Sequence, residues 1–559
     1  MSNQPQAVSS TDQQNASNGQ LDGQKLKTLI EAGLTWLRTN QELVNSLNVF
    51  PVPDGDTGTN MVLTMQAAYD EIARSEEYNI GKIAHAIAQG ALLGARGNSG
   101  VILSQLLRGF ARTLDEMDTM SSEAFVQALT EARNTAYKGV VRPVEGTILT
   151  VSSDMATAAK KALKETKDLN EILTKVIEAA NKSVENTPEL LPILKQAGVV
   201  DSGGKGLFFI LEGMTRFMNG EDLCSPLTQV KPLSVMQMEH TMEAVEPGQD
   251  YEIVLDFKPF EDLNLEKFYD DLSEMGTSIQ LGEGDGMYRM HIHVPTENRY
   301  APIDYTMGIG EVQKVAIENL LAMVNENPTG PQPIELKTFE PGQIAIATVS
   351  PGLGISKIFA SLGIAAVVEG GQTMNPSAQE IMESFEKLPT DHVIILPNNK
   401  NIIMAAESAS KLSTKNVAVI PSVNIPGGLS AMLRYMPHGN FDQMVEAMHE
   451  ALTEVDTGEV TIATRTAEIN GVQVNEGEII ALYNGKLVLS SNNLEDAVLK
   501  LLVTADTDEK ERVTLFYGEN ISRDEVDQIA DHIQSKYPDH EIEIHEGSQP
   551  FYQFIIAIE

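Results

Sequence analysis

Asn48-Val-Phe-Pro-Val-Pro-Asp54-Gly-Asp56-Thr-Gly-Thr-Asn-Met61 is the most informative stretch of this sequence. Two carboxylates flank a glycine, and an apolar-periodic segment typical of a helix begins directly after them. Carboxylate oxygens suit Mg²⁺, and the free N–H groups of a helix N-terminus suit phosphate. The stretch therefore predicts a metal–nucleotide site, although an acidic turn with a helix N-cap would have the same composition.

Composition limits the classes of protein to which the chain can belong. Its 559 residues are enough for three or four domains, and a formal charge of -39 argues against nucleic acid or anionic lipid as the main partner. Cys224 is the single cysteine, which excludes an intrachain disulfide and favours a reducing compartment. No apolar run reaches the ~20 residues of a membrane span. We expect a cytoplasmic protein without stable membrane insertion, and a disordered tail over residues 1–22.

Residues 23–222 have helical periodicity almost throughout. The first amphipathic segment begins near Gln24, and its apolar residues recur at three- and four-residue spacing. Similar segments follow at about 60–74, 80–94, 99–116, 121–138, 146–164, 168–186 and 203–219. Eight helices with short connections predict an all-α domain, either a bundle or an eight-helix barrel.

Three further helices in this part of the chain begin at polar, glycine-rich stretches. These are Gly94-Ala-Arg-Gly-Asn-Ser-Gly100, Arg142-Pro-Val-Glu-Gly-Thr147 and Asp201-Ser-Gly-Gly-Lys-Gly206. Glycine permits close approach of the backbone to a ligand, but glycine-rich helix starts are common and each is a weak signal alone. If the four helix starts lie on one rim of the domain, their N–H groups converge on an anion.

These four stretches resemble, in order and approximate spacing, the nucleotide-binding loops of the DhaL-type subunit of dihydroxyacetone kinases. The longer form of the first stretch, from Leu47 to Met61, is closer still to the large subunit of bacterial fatty acid kinase. That resemblance covers nearly the whole chain apart from the N-terminal tail. It implies an eight-helix barrel that binds ATP and two Mg²⁺ ions.

The resemblance also implies roles for individual residues. Asp54 and Asp56 would be the catalytic metal ligands, and Asn48 stands roughly where the sugar kinases have a third acid, at a slightly different spacing. Other polar residues and glycines of the four stretches would bind the nucleotide: Thr57, Thr59, Asn60, Asn98, Ser99, Gly100, Thr147, Asp201 and Gly203.

Residues 225–327 change character and predict a small α/β middle domain. Strands are expected at 251–257, 277–281 and 288–294, with a helix at about 263–275. His291 and His293 would face one side of their strand, either as a surface pair or as metal ligands. The kinase family has a Cys-His-His zinc site here, and Glu252 stands at the cysteine position. Two alternatives follow for this domain. Either Glu252, His291 and His293 bind Zn²⁺, or the metal has been lost.

Four prolines at 328–341 suggest a linker over residues 328–342, and an α/β region follows at 343–559, with two lobes that divide near 455. Buried strands alternating with helices predict a parallel sheet. Gly352-Leu-Gly354 lacks the rest of a dinucleotide fingerprint and predicts a tight strand–helix turn. The stretches 370–377 and 547–554 resemble DegV-type lipid-binding proteins; they are either turns that hold the fold or a face for docking an acyl carrier.

Taken together, the sequence predicts an ATP-dependent kinase that phosphorylates the carboxylate of a fatty acid. The acceptor is already ionised at neutral pH, which agrees with the lack of an obvious general base near the four loops. The expected partner is a separate fatty-acid-binding DegV-type protein, and a homodimer is compatible with the sequence. The alternatives are a dihydroxyacetone-type small-alcohol kinase and a non-catalytic lipid-binding scaffold.

Overall fold

The structure is a computed structural model of the chain. It describes residues 21–48, 55–140, 142–221, 231–232, 250–260, 263, 265–273, 275–284, 287–319, 334, 336–372, 374–463, 466–469 and 471–559. The expected disordered tail lies outside these residues except at its last two positions, and so do residues 328–333 and 335 of the expected linker. No helix of the described ranges combines the length and apolar composition needed to cross a bilayer.

The N-terminal part is the all-α domain that the periodicity predicts. Its long helices are α1 (Gly23–Thr39), α3 (Thr57–Asp70), α4 (Ile80–Leu93), α5 (Gly97–Leu114), α6 (Ser122–Gly139), α7 (Ile148–Ala162), α8 (Leu169–Leu190) and α10 (Ser202–Met218). Two six-residue helices that the periodicity does not predict, α2 (Gln41–Ser46) and α9 (Pro192–Ala197), lie between them.

The long helices form a closed ring around one apolar core. Neighbouring helices pack in sequence from α3 to α8, α10 packs on α8, and α10 also returns to pack on α1. The core is filled by fully buried side chains such as Leu37, Met61, Met65 and Ile83. Each helix is amphipathic, so closing the ring removes all of the apolar stripes from water at once.

Residues 224–333 form a separate unit. Its five-stranded sheet has the order β1-β3-β4-β2-β5, and its helices are α11 (Leu265–Ser273) and α12 (Ala301–Ile309). The strands are β1 (Lys231–Pro232), β2 (Tyr251–Pro259), β3 (Thr277–Gly284), β4 (Met287–Val294) and β5 (Gly310–Asn319). The sequence patterns predicted β2, β3 and β4. In β4, Arg289 forms a two-pronged ion pair with Asp256 of the neighbouring β2, at 2.6 and 2.8 Å.

The C-terminal region contains two sheets. The first has the order β7-β6-β8-β9 and is entirely parallel, as predicted. Its strands are β6 (Ile344–Ser350), β7 (Ala366–Glu369), β8 (His392–Leu396) and β9 (Asn416–Val419). The helices that connect and cover it are α13 (Leu353–Ser361), α14 (Ala378–Glu386), α15 (Ile403–Leu412), α16 (Ile425–Met432) and α17 (Phe441–Ala451).

The second sheet is mixed and has the order β14-β13-β10-β17-β15-β16. Its strands are β10 (Asp456–Ile462), β13 (Ile479–Tyr483), β14 (Lys486–Ser491), β15 (Arg512–Tyr517), β16 (Glu541–Glu546) and β17 (Tyr552–Ile558). A small hairpin, β11 (Ala467–Ile469) and β12 (Val472–Val474), and two helices, α18 (Leu494–Thr504) and α19 (Arg523–Lys536), complete it.

Close turns in the C-terminal region fix the ends of its strands. Strand β6 ends at Ser350 and helix α13 begins at Leu353, so the Gly-Leu-Gly stretch forms a tight strand–helix turn, as expected. A Cβ atom on Gly354 would come within 2.0 Å of the Glu546 carbonyl oxygen, at the end of β16. Asn398 has φ of +55° and donates from its amide to the Thr348 hydroxyl, 2.8 Å away. Ser422 donates to the other end of the same amide at 2.8 Å. The loop after β8 thereby joins the ends of neighbouring strands.

Asp201 caps helix α10 with a buried carboxyl group. One carboxylate oxygen accepts from the Gly204 N–H at 2.7 Å, and the backbone N–H of Asp201 donates to the Thr187 hydroxyl at 3.0 Å. Burial raises the pKa of Asp201 to about 6, although hydrogen bonds from the Gly204 and Ile148 N–H groups act in the opposite direction. The capped helix therefore carries a carboxylate whose charge is poorly solvated at neutral pH.

Asp201→Asn should stabilise the ligand-free protein at pH 7. Because the pKa is raised in the folded state, the folded protein holds the Asp201 proton more tightly than the unfolded chain does. The contribution of Asp201 to the free energy of unfolding therefore falls as pH rises from about 4 through 6. Asparagine caps equally well without titrating, so the gain should be roughly 3 kcal/mol at pH 7 and vanish below about pH 4. Urea unfolding from pH 4 to 8 measures the difference.

The matched variant Asp201→Ala removes the cap as well as the titration. It should be about 1 kcal/mol less stable than Asp201→Asn at every pH. The free energy of unfolding of wild type is compared with that of Asp201→Asn. If this difference does not change between pH 4 and 7, the raised pKa does not belong to the Asp201 carboxyl group.

Candidate functional site

Asp56 lies at the start of helix α3 with both carboxylate oxygens in contact with amide side chains. Its side chain is 6% exposed. Asn48 donates to Oδ1 at 3.4 Å, and Asn375 of the C-terminal region donates to Oδ2. Gly55, just before it, has φ of +55°, a conformation that favours glycine. Asp54, the other predicted metal ligand, lies outside the described residues.

The N-terminus of α5 lies directly beside the N-terminus of α3. Gly97 has φ of +57°, and a Cβ atom on it would come within 2.6 Å of the Asn60 amide nitrogen. A Cβ atom on Gly100 would come within 2.3 Å of the Thr64 hydroxyl oxygen. The backbone N–H of Arg96 donates to that same hydroxyl at 3.3 Å. The glycines of this stretch are therefore required by the close approach of two helices.

The N-termini of α7 and α10 join the same cluster. Ser202, at the start of α10, donates from its hydroxyl to the Thr57 hydroxyl at 3.2 Å. A Cβ atom on Gly203, at the start of α10, would lie 3.4 Å from the Cβ atom of Ile148, at the start of α7. Direct contacts thus connect all four predicted helix starts. Their positive dipole ends lie together, which is the arrangement that attracts phosphate.

Besides Thr57 and Asp201, three more of the residues predicted to bind nucleotide have structural hydrogen bonds. The Thr59 hydroxyl accepts from Gln41 and Asn45 of helix α2, at 3.0 and 3.1 Å. The Asn98 amide donates to the Asn401 side chain of the C-terminal region at 3.2 Å. Thr147 caps helix α7 through the Leu149 N–H, at 3.3 Å. Thr57, Asn60, Gly100 and Gly203 are buried within the cluster, and Ser99 is half-buried.

The C-terminal region packs directly against this cluster. Arg96 donates to the Asn375 carbonyl oxygen at 2.9 Å and to the Glu380 carboxylate at 2.9 Å. The Ala378 backbone N–H donates to the Ala95 carbonyl oxygen at 3.3 Å. Arg96 and Asn375 both lie in stretches that the sequence patterns singled out, but neither residue was assigned a role. Nothing local in either stretch indicates that the two would meet.

The surroundings of Glu380 favour the ionised form of its carboxyl group. Burial acts to raise its pKa, but the Ser377 N–H and the Arg96 guanidinium outweigh burial and hold the pKa below its ordinary value. Ser377 and Glu380 also form a capping box at the start of helix α14. The ion pair between Arg96 and Glu380 therefore connects the start of helix α5 with the start of helix α14.

A cleft of about 470 Å³ opens between the two parts of the chain beside the cluster. The helical domain lines it with Thr59, Asn60, Leu63 and Arg96. The C-terminal region lines it with residues 367–369 and 374–376, Glu380 and Ser384. The cleft has a polar end at the helix N-termini and an apolar wall of valine, leucine and methionine side chains.

A second candidate site lies within the middle unit. One ligand atom from each of Glu252, His291 and His293 lies within 4.8 Å of the other two. The His291 Nε2 atom is 3.3 Å from a Glu252 carboxylate oxygen. His293 is 4% exposed, and its Nδ1 atom has no hydrogen-bond partner. A buried ring nitrogen without a partner and a neighbouring carboxylate fit the donor set of Zn²⁺.

Comparison with known proteins gives matches along the whole chain. Family models match residues 51–216 (DAK2 domain), 246–327 (FakA-like fatty acid kinase, middle domain) and 345–559 (FakA-like fatty acid kinase, C-terminal). An uncharacterized protein of Staphylococcus epidermidis is 37% identical, covering 96% of this chain and 99% of its own. One from Staphylococcus aureus is 36% identical, with 96% and 99% covered.

Solved structures with local similarity include three proteins. The dihydroxyacetone kinase from C. freundii in complex with AMP-PNP and Mg²⁺ is 20% identical (TM-score 0.28; 34% of this chain, 33% of that chain). The DegV family protein Cg2579 from Corynebacterium glutamicum is 15% identical (TM-score 0.30; 39% and 97%). The Streptococcus pneumoniae fatty acid kinase B3 protein loaded with linoleic acid is 15% identical (TM-score 0.27; 33% and 76%).

The three family models follow one another in the order of the helical domain, the middle unit and the C-terminal region, and the staphylococcal relatives match this arrangement over nearly their full length. The chain belongs to the FakA-like family of fatty acid kinase proteins and contains a DAK2 domain.

Proposed function

We propose that this protein transfers the γ-phosphoryl group of ATP to the carboxylate of a fatty acid, which a separate acyl-binding protein of the DegV type presents. The observation that carries the proposal is that four glycine-rich helix N-termini contact one another in a cluster that contains the buried Asp56 carboxylate. Phosphoryl transfer asks a protein mainly to align the reactants and neutralise charge. Grouped helix N-termini and metal-binding carboxylates supply both.

Asp56 and Asp54 would hold Mg²⁺, which neutralises the phosphate charge when it is bound. Binding of two Mg²⁺ ions and a ligand role for Asn48 are also parts of this proposal. Backbone N–H groups at the start of α3 and α5, with Thr57, Thr59, Asn60, Asn98, Ser99 and Gly100, would receive the phosphates. Thr147, Asp201 and Gly203 would line the nucleotide pocket.

The acceptor needs no general base. A fatty acid carboxylate has a pKa near ~4.3 and is already ionised at neutral pH. Its oxygen attacks the γ-phosphorus, the bond from that phosphorus to the β,γ-bridging oxygen breaks, and the products are acyl phosphate and ADP. The apolar wall of the cleft beside Thr59 and Asn60 is suited to the first carbons of an acyl chain.

ATP turnover by the purified full chain tests the proposal. With Mg²⁺, ADP release should require both a long-chain fatty acid and a DegV-type acyl-binding protein. Steady-state ADP formation is measured with each component omitted in turn. Robust phosphorylation of dihydroxyacetone, with no dependence on fatty acid, would overturn the carboxylate acceptor in favour of a small-alcohol kinase. Absence of ATP turnover with every acceptor would favour a scaffold.

Asp56→Asn should abolish most of this turnover while leaving the fold in place. The change is nearly isosteric, and the Asp56 side chain makes no capping hydrogen bond that asparagine would have to replace, but the anionic metal ligand is lost. We expect kcat/KM to fall at least about a hundredfold and the Tm to move by only a few degrees. Steady-state kinetics and thermal unfolding measure the two effects. A collapse of the Tm would show that the carboxylate serves the fold.

We also propose that Glu252, His291 and His293 hold a zinc ion in the middle unit. The closeness of the three ligand atoms and the unpartnered, buried Nδ1 atom of His293 support this proposal. The site would strengthen the link between β2 and β4, which are antiparallel neighbours with Glu252 opposite His293. Glutamate can replace cysteine as a zinc ligand, because carboxylate oxygens bind Zn²⁺ at about 2.0–2.2 Å.

His291→Ala should lower the zinc content of the purified protein from about one equivalent to near zero. Elemental analysis after removal of loosely bound metal measures the content. His532→Ala is the matched control, because His532 also contacts a carboxylate, Glu495 at 2.8 Å, but lies in the C-terminal region. Equal zinc in wild type, His291→Ala and His532→Ala would rule out the site.

A further inference from the structure

The side-chain amide of Asn375 is deeply buried, and only its nitrogen end forms a hydrogen bond. Its side chain is 2% exposed and lies between the C-terminal region and the helical domain. The Nδ2 atom donates to Asp56 Oδ2, across 319 positions of sequence. The Oδ1 atom is buried and has no hydrogen-bond partner. A buried carbonyl oxygen without a partner is unfavourable and is rarely left so in a folded protein.

The backbone around Asn375 is held on both sides of the interface. Arg96 donates to its carbonyl oxygen at 2.9 Å, and the Gly371 N–H closes the preceding turn on Met374 O at 3.0 Å. Pro376 follows directly and restricts the backbone of Asn375 to extended conformations. Two hydrogen bonds and the following proline therefore constrain the backbone that carries the Asn375 side chain to Asp56.

The neighbours of Asn375 belong to the proposed metal–phosphate site. A Cβ atom on Gly97 would lie 3.5 Å from the Asn375 Nδ2 atom and 2.6 Å from the Asn60 amide nitrogen. Asn48 contacts the other oxygen of Asp56, so two amides flank one carboxylate. Without a cation, the stable arrangement turns an N–H of an amide toward the carboxylate. With a cation, the amide oxygens are the atoms that suit Mg²⁺.

We propose that Asn375 completes the metal site of the helical domain, as an oxygen ligand supplied by the C-terminal region. This inference rests on the proposed function of that site. The two ends of an amide have nearly the same shape, so a half-turn of the terminal torsion exchanges Nδ2 and Oδ1 without extra volume. After that exchange, Asn375 Oδ1 and Asp56 Oδ2 face the same cation, and the amide N–H groups occupy the buried position that the oxygen leaves.

A site built from two distant parts of the chain has a thermodynamic consequence. If the cation binds both Asp56 and Asn375, it stabilises the contact between the helical domain and the C-terminal region. By linkage, that contact must raise the affinity for the metal–nucleotide complex by the same factor. The C-terminal region would then supply part of the nucleotide site.

The test is Mn²⁺ affinity of the full-length protein in the presence of AMP-PNP, read from the EPR signal of free Mn²⁺. Asn375→Ala should weaken Mn²⁺ binding about tenfold or more, the size of effect that loss of a supporting metal-site group produces. Asn401→Ala is the control, because it removes another side-chain bond between the same two parts, to Asn98, without reaching Asp56. It should change Mn²⁺ affinity less than about twofold.

Asn375→Asp separates a ligand from a simple contact. In metal-free protein, the new carboxylate repels Asp56, and the Tm should fall below that of wild type. With Mn²⁺ and AMP-PNP, the added anionic oxygen should restore or exceed wild-type affinity, so the Mn²⁺-induced rise in Tm is larger than in wild type. Loss of Mn²⁺ binding in both Asn375→Asp and Asn375→Ala would overturn the ligand role and leave a contact only.

The outcomes distinguish this inference from the proposed function. Wild-type protein that binds Mn²⁺ with AMP-PNP, together with Asn375→Ala that matches Asn401→Ala, overturns the role of Asn375 alone. Wild-type protein that binds neither Mn²⁺ nor AMP-PNP overturns the nucleotide site and the inference with it.

Discussion

A buried carboxylate needs either hydrogen-bond donors or a cation, and this constraint on Asp56 organises the surrounding structure. Desolvation of a lone carboxylate costs more free energy than a small domain can supply. Here amides contact both oxygens, from Asn48 on one side and Asn375 on the other. The start of helix α3 adds a favourable dipole. Under the proposed function, a bound divalent ion would replace these amide N–H groups at the carboxylate.

Close helix packing is the second constraint at this site. The N-termini of α3 and α5 approach so closely that a Cβ atom on Gly97 or Gly100 would overlap a neighbouring side chain. The glycines therefore serve the packing, and the same packing brings together the helix N-termini that we propose bind phosphate. Function and fold are difficult to separate here, because one arrangement satisfies both.

Much of the fold follows from the sequence. Helical periodicity located the eight long helices to within a few residues, and buried β-branched runs identified the parallel strands β6, β7, β8 and β9. The glycine-rich helix starts that the sequence singled out are the ones that meet in space. The short helices α2 and α9 were missed, because six residues are less than two helical turns and carry no readable period.

The sequence by itself determined the eight long helices and the parallel strands, and which helix starts carry side chains of the kind that suits metal and phosphate. These properties depend on local backbone geometry and on the spacing of apolar side chains, which any short window of the chain contains. Only the tertiary structure decided that Asn375 and Arg96 meet at the same site, and that one wall of the cleft comes from the C-terminal region. Contacts between residues hundreds of positions apart arise when whole faces are buried together, and no local pattern records which faces will meet.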